Sequence, residues 1–175
     1  MKVNPTSDDF EIALNLKSQE LEQCDRASFD YRGQSMFPLF FEGDIVVIKP
    51  YRLNSPKIGD VIVFERNSRL VMHRLIMASR SVEHQSLVYT CKGDNCLVVD
   101  APIGRTQVLG KAILIQRQQT LIKLDSIWGR LTQKLLAYFS LIELSSKRRT
   151  TLLNRAKRLT CSLLKVLESS QLVRN

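Results

Sequence analysis

The pattern of apolar and polar positions divides this chain into three parts. Between residues 8 and 23, Phe10, Ile12, Ala13, Leu14, Leu16 and Leu21 recur among acidic residues. This spacing predicts a short helix with Ser7 placed to cap its start. From about residue 27 to 117 the apolar positions gather into short, β-branched runs: Asp44–Ile48, Asp60–Phe64, Leu70–Met72, Ser86–Thr90 and Val108–Ile115. Gly, Pro, Asn and Ser separate them, and Glu65–Arg69 reads as a polar hairpin turn, so strands are predicted. All five prolines and six of the seven glycines lie before residue 117, as a turn-rich β body requires. After 117, Leu121, Leu124, Trp128, Leu131, Leu135, Tyr138 and Ile142 follow helical spacing, as do Leu152, Ala156, Leu159, Leu163 and Val166. Two or three amphipathic helices are predicted there. The expected organisation is a helical segment over 1–26, a β domain over 27–117 and a basic helical extension over 118–175.

Charge sharpens that division. Residues 1–116 hold 14 Lys/Arg and 14 Asp/Glu, whereas residues 117–175 hold 12 and 3, so the whole net charge of +9 lies in the last third. The 175 residues suffice for one domain with a real core. Acidic residues fill the first thirty positions, which argues against a secretory signal. The most apolar stretch, Leu135–Leu144, is interrupted by Ser140 and Glu143 and falls short of the roughly 20 residues a spanning helix needs. A cytoplasmic chain, soluble or peripheral at a membrane, is therefore expected. The four cysteines, at 24, 91, 96 and 161, form no CxxC pair and have no histidine at metal-ligand spacing. Free thiols, no metal and no cofactor are expected.

Candidate chemistry lies in the β body. Ser35 sits in Gly33-Gln34-Ser35-Met36-Phe37-Pro38, where Gly33 and Pro38 suggest a rigid path that exposes the hydroxyl and frees backbone N–H groups to hold an oxyanion. A serine hydroxyl needs a base within hydrogen-bond reach. The chain has two histidines. His84 lies in a polar loop and receives no role. His73 follows Leu70-Val71-Met72 on a predicted strand, with its side chain on the face opposite Met72 and Arg74. Two acids follow, Asp94 in the turn Lys92-Gly93-Asp94-Asn95 and Asp100 behind it. Either could orient the imidazole. Singly, each of these residues reads as an ordinary turn or strand position.

Taken in order, these pieces, with Gly43-Asp44-Ile45-Val46-Val47, Gly59-Asp60-Val61-Ile62-Val63-Phe64 and Val108-Leu109-Gly110-Lys111-Ala112, resemble the motif series of S24/S26-type serine peptidases over residues 27–117. Histidine at the base position resembles the archaeal, endoplasmic-reticulum and sporulation-type signal peptidases. The usual bacterial signal peptidase and the self-cleaving repressors pair serine with lysine. The resemblance implies a mostly β, compact antiparallel fold, α+β overall with its flanking helices. It implies Ser35 as nucleophile, His73 as general base, and Asp94 and Asp100 as the two acids, Asp100 orienting His73. Gly33, Ser35 and Met36 form the implied oxyanion and substrate-binding stretch, Gly33 replacing a hydroxyl residue found in many bacterial members. Two departures stand out: no membrane anchor precedes Ser35, and the basic tail is not part of the family core.

The expected activity is serine endopeptidase action on a peptide or protein precursor, in trans or on the chain itself. The alternatives are a non-catalytic peptidase-like scaffold working through its basic tail, and a repressor-type self-cleaving protein. For the tail, the readings are packing on the β body with a solvated basic face, docking on an anionic membrane surface, and nucleic-acid binding. The last is disfavoured by the lack of aromatic interleaving or a recognition-helix motif.

Overall fold

The computed structural model describes residues 7–51, 55–81, 86–146 and 151–172. The expectations for His84, Arg148 and Arg149 lie outside them. In chain order the elements are α1 (Ser7–Cys24), β1 (Ala27–Asp30), β2 (Ile45–Lys49), β3 (Val61–Glu65), β4 (Leu70–Arg80), β5 (Leu87–Lys92), β6 (Ile103–Gly104), β7 (Val108–Arg117), β8 (Thr120–Lys123), α2 (Ile127–Ser146) and α3 (Thr151–Leu172). A single 3-10 turn, Arg105–Gln107, links β6 to β7.

The eight strands form one sheet in the order β1-β2-β7-β3-β4-β5-β6, with β8 paired to β7. Every pairing is antiparallel. The α+β architecture expected from the sequence is present, with helices at both ends of a β body. The run Val61-Ile62-Val63-Phe64 is apolar at every position because both faces of the sheet are covered there. Val61 and Val63 face a core shared with Met36, Phe40, Leu136, Cys161 and Leu164. Ile62 and Phe64 face a second core with Leu75, Tyr89, Cys91 and Ile103. The β3–β4 hairpin closes on Asn67 and Ser68, both at positive φ (51° and 52°), between reciprocal Arg66–Arg69 backbone bonds of 2.9 and 3.0 Å. Such a two-residue loop matches the twist of the strands it joins.

Three strands escape the sequence pattern. β1 and β6 are short, and β8 overlaps the spacing assigned to a helix. Leu121 and Leu124 stand at helical separation from each other, yet the buried positions Ile122 and Leu124 follow the period of a strand, and Ile122 pairs with Ile115. The sheet therefore continues past residue 117, and α2 starts only at Ile127. Gly129 makes that junction possible: a Cβ there would overlap the Lys123 carbonyl and the Leu124 backbone. Helix α1 starts at Ser7, within a residue of its expected boundary.

Candidate active site

Ser35 lies in the loop between β1 and β2. Buried Tyr31 anchors this loop, its backbone tied to Asp44 (2.8 Å) and Gly43 (3.0 Å), its ring 5.6 Å from that of Phe40. Gly33 takes φ 101°, open to glycine and strained for other residues, just before the nucleophile candidate. The Met36 side chain is fully buried in the core, and its N–H donates to Tyr31 Oη at 3.0 Å. Met36 thus anchors the loop from beneath, with its amide engaged rather than free for an oxyanion. From the other side Asn95 N–H donates to Ser35 O (2.7 Å) and Asn95 Nδ2 to Gln34 O (3.1 Å). Among the described residues, the N–H groups of Gln34 and Ser35 have no hydrogen-bond partner. Ser35 Oγ is half-buried and 3.4 Å from Tyr31 Oη.

His73 projects from β4, paired with Ile62 of β3, on the face of the second core, where it meets the Phe64 ring edge-on. Its Nδ1 lies 2.6 Å from Asp100 Oδ2. Both side chains are near the surface, 13% and 16% exposed. Arg66, from the β3–β4 turn, holds the other Asp100 oxygen (Nη1 to Oδ1, 3.2 Å) and also donates to Ala101 O. The Asp100 N–H donates to Cys91 O at 2.8 Å. With Nδ1 engaged, Nε2 is left to face the Ser35 loop across Gly93. A Cβ at residue 93 would fall 2.7 Å from Ser35 O and 3.1 Å from His73 Nε2. Only glycine lets the serine loop and the imidazole close around this turn.

Asp94 points elsewhere. Its carboxylate is fully buried and makes a two-pronged pair with Arg74, Nε to Oδ1 at 2.7 Å and Nη2 to Oδ2 at 2.6 Å. Arg74 Nη1 also donates to Gly59 O at 2.7 Å. Thus Asp100 bonds His73 on one face of β4, and Asp94 bonds the next residue, Arg74, on the other. The same turn is gripped from the C-terminal helices. Lys157 on α3 donates to Asp94 O (2.7 Å) and to Glu143 on α2 (2.7 Å), and Glu143 also accepts from Lys92 (2.9 Å). All three side chains are buried. Burial lowers the proton affinity of Lys157 below the ordinary lysine value, with Glu143 opposing. Burial likewise raises Tyr31 above the usual phenol range, keeping it a neutral hydroxyl.

A family model described as Peptidase S24-like matches residues 5–100, more than half of the chain. The chain belongs to the S24-like peptidase family. The matched span contains Ser35, His73, Asp94 and Asp100, while β6, β7, β8, α2 and α3 lie beyond it. No curated protein and no solved structure matches significantly. Among the described residues of this S24-like chain, no group of three or more His, Cys, Asp or Glu is arranged to hold a metal ion, and no helix is long and apolar enough to cross a membrane. All four cysteines are free thiols.

Tyr31, Arg66, Asn95, Glu143 and Lys157 complete the site and its support, and none of them receives a role from the sequence. Asn95 stands in the turn that carries Asp94, Arg66 in the hairpin turn, and Glu143 as a charge inside an otherwise apolar stretch.

Proposed function

We propose that this S24-like chain is a serine endopeptidase of the Ser–His–Asp kind. The observation that carries this reading is the 2.6 Å bond from Asp100 to His73 Nδ1, which leaves Nε2 turned toward the Ser35 loop. Ser35 Oγ attacks the carbonyl carbon of the scissile bond while His73 Nε2 takes the hydroxyl proton. His73 then delivers that proton to the amine as the C–N bond breaks, leaving an acyl group on Ser35. Water, deprotonated by His73, hydrolyses the ester and releases a carboxylic acid. Asp100 holds the imidazole in one tautomer and stabilises it when charged, with Arg66 keeping the carboxylate in place. The partnerless Gln34 and Ser35 N–H groups are the available oxyanion donors. Tyr31 steadies Ser35 Oγ before substrate arrives, and the Oγ–Nε2 bond forms in the substrate complex, as such bonds commonly tighten there.

Histidine as base and a carboxylate behind it favour the signal-peptidase-like branch of the wider clan over the self-cleaving repressors. The substrate is a peptide or protein precursor. The test compares labelling by a fluorophosphonate probe and cleavage of candidate peptides for wild type, Ser35→Ala and His73→Ala. Loss of both signals in each variant supports the reading. Equal behaviour of all three proteins would sink it and leave a peptidase-like binding module.

A further inference from the structure

Helix α2 carries apolar residues on both of its faces. A helix on a globular surface normally buries its apolar stripe and exposes its polar one. On α2 the inward positions include Leu136 and Ala137 but also Thr132, Gln133, Ser140 and Glu143, all buried; Gln133 donates to Leu124 O, and Glu143 accepts from Lys92 and Lys157. The outward positions are Ile127, Trp128, Leu131, Leu135, Tyr138 and Ile142, all exposed, Ile127 to 80% and Tyr138 to 60%. Their separations of three and four residues put them on one stripe, uninterrupted by any charge. Helix α3, packed beside α2, exposes Leu152, Leu159 and Leu163. The α2 stripe is far more than scattered apolar positions and marks a contact surface.

The charges around this surface select its occupant. Among the described residues of α2 and α3, the exposed charges are Arg130, Lys134, Arg155 and Arg158, all cations. The two acids of these helices, Glu143 and Glu168, are both buried, the second accepting from Ser126. The sequence between the helices adds Lys147, Arg148 and Arg149. An apolar stripe carrying Trp and Tyr, on helices whose exposed charges are all cations, with exposed Asp125 just before α2, fits the headgroup boundary of an anionic lipid bilayer. A second copy of the chain fits poorly, since a two-fold interface would set the cationic flanks against each other. We infer that α2, with α3 beside it, docks this protein peripherally on anionic membranes, its apolar stripe in the headgroup region. The surface stands apart from the Ser35–His73 chemistry and does not depend on it.

Trp128 is the sole tryptophan of the chain and lies on the stripe, so its fluorescence reports on this face alone. The test mixes the full chain with vesicles of phosphatidylcholine, with and without phosphatidylglycerol. The expected result is a blue shift of Trp128 emission, with quenching by acyl-chain-brominated lipid, on the anionic vesicles. Binding should weaken as salt rises from about 0.1 to 1 M, where the screening length falls from ~10 to ~3 Å. Leu131→Glu with Tyr138→Glu alters only exposed positions and should reduce vesicle affinity by about tenfold or more with an unchanged circular dichroism spectrum. The absence of any shift or co-sedimentation at low salt overturns the inference. So does a concentration-dependent dimer that the same double substitution abolishes without any vesicle effect, which assigns the face to a second copy.

Discussion

Asp94 and Asp100 stand in the same short stretch after β5, and each bonds one of two consecutive β4 residues. Their surroundings are nevertheless opposite. Asp94 meets a guanidinium in a site with no solvent exposure and is held there by a network reaching both C-terminal helices. Asp100 meets an imidazole at the rim of the molecule, with a second partner, Arg66, that is itself partly exposed. A buried ion pair fixes position and is costly to break. An imidazole–carboxylate pair open to solvent can exchange protons with a substrate. The strand alternation that sends His73 and Arg74 to opposite faces thereby divides two similar acids between chemistry and architecture.

Asp100→Asn should give the largest effect, and it should fall on activity. The amide keeps the size of the carboxylate but presents the wrong tautomer and no charge, so kcat is expected to drop about 10^4-fold. KM should stay nearly constant and the pH–rate profile should shift, while the denaturant midpoint changes little. A stability loss matching that of the Asp94 variant would erase the contrast between the two acids.

Asp94→Asn is the mirror experiment. It leaves the Arg74 guanidinium buried without a counter-charge, which costs about 3–5 kcal/mol. Urea unfolding should move to a lower midpoint, or the chain should be recovered unfolded. Glu143→Gln should behave similarly, because Lys92 and Lys157 both rely on its carboxylate. If Asp94→Asn folds normally and only activity is lost, Asp94 belongs with the chemistry.

Much of this division was legible before the fold was known, and some was not. The β-branched runs announced β2, β3 and β7: β3 is buried on both faces, and β2 and β7 bury alternate positions. The order Ser35, His73, Asp100 was readable because the turn residues between them are distinctive. The choice between Asp94 and Asp100 was not readable from the residues, since it depends on the path of the chain across β4 and β5. Nor did the sequence mark Lys157 as buried. It looks like one more cation in a basic tail, and only the placement of Glu143 across the helix pair distinguishes it. Leu121 misled for a simpler reason: two leucines three residues apart satisfy a helix and say nothing about the pairing with β7.

Tyr31→Phe should give a smaller effect, at the hinge between the two regions. It removes the acceptor of the buried Met36 N–H, costing about 1–3 kcal/mol, and the hydroxyl that steadies Ser35 Oγ. Thermal unfolding should register the first loss. Activity should change by about tenfold at most, the scale of one neutral hydrogen bond. A loss as deep as that of His73→Ala would make Tyr31 a direct participant in proton transfer.

The smallest effect offers the sharpest reading, because each acid has a buried thiol beside it. Burial raises the Cys91 thiol to about 12, with the Asp100 charge adding to the rise and Arg66 opposing it. Burial raises Cys161 to about 12 as well, with Asp94 adding and Arg74 opposing. Both folded values lie above the ordinary thiol value. The neutral thiols therefore stabilise the fold fully below about pH 9, and that contribution is lost as pH rises toward 12. Unfolding midpoints should fall across that window. Thiolate absorbance near 240 nm, followed with one thiol replaced by serine at a time, separates the two sites. Asp100→Asn should ease ionisation of Cys91 and leave Cys161 unmoved. The complementary shift, Cys161 without Cys91, is expected from Asp94→Asn wherever that variant folds. A shift of both thiols by either substitution would mean that the two acids share one electrostatic site, and that the sheet does not insulate the buried pair from the exposed one.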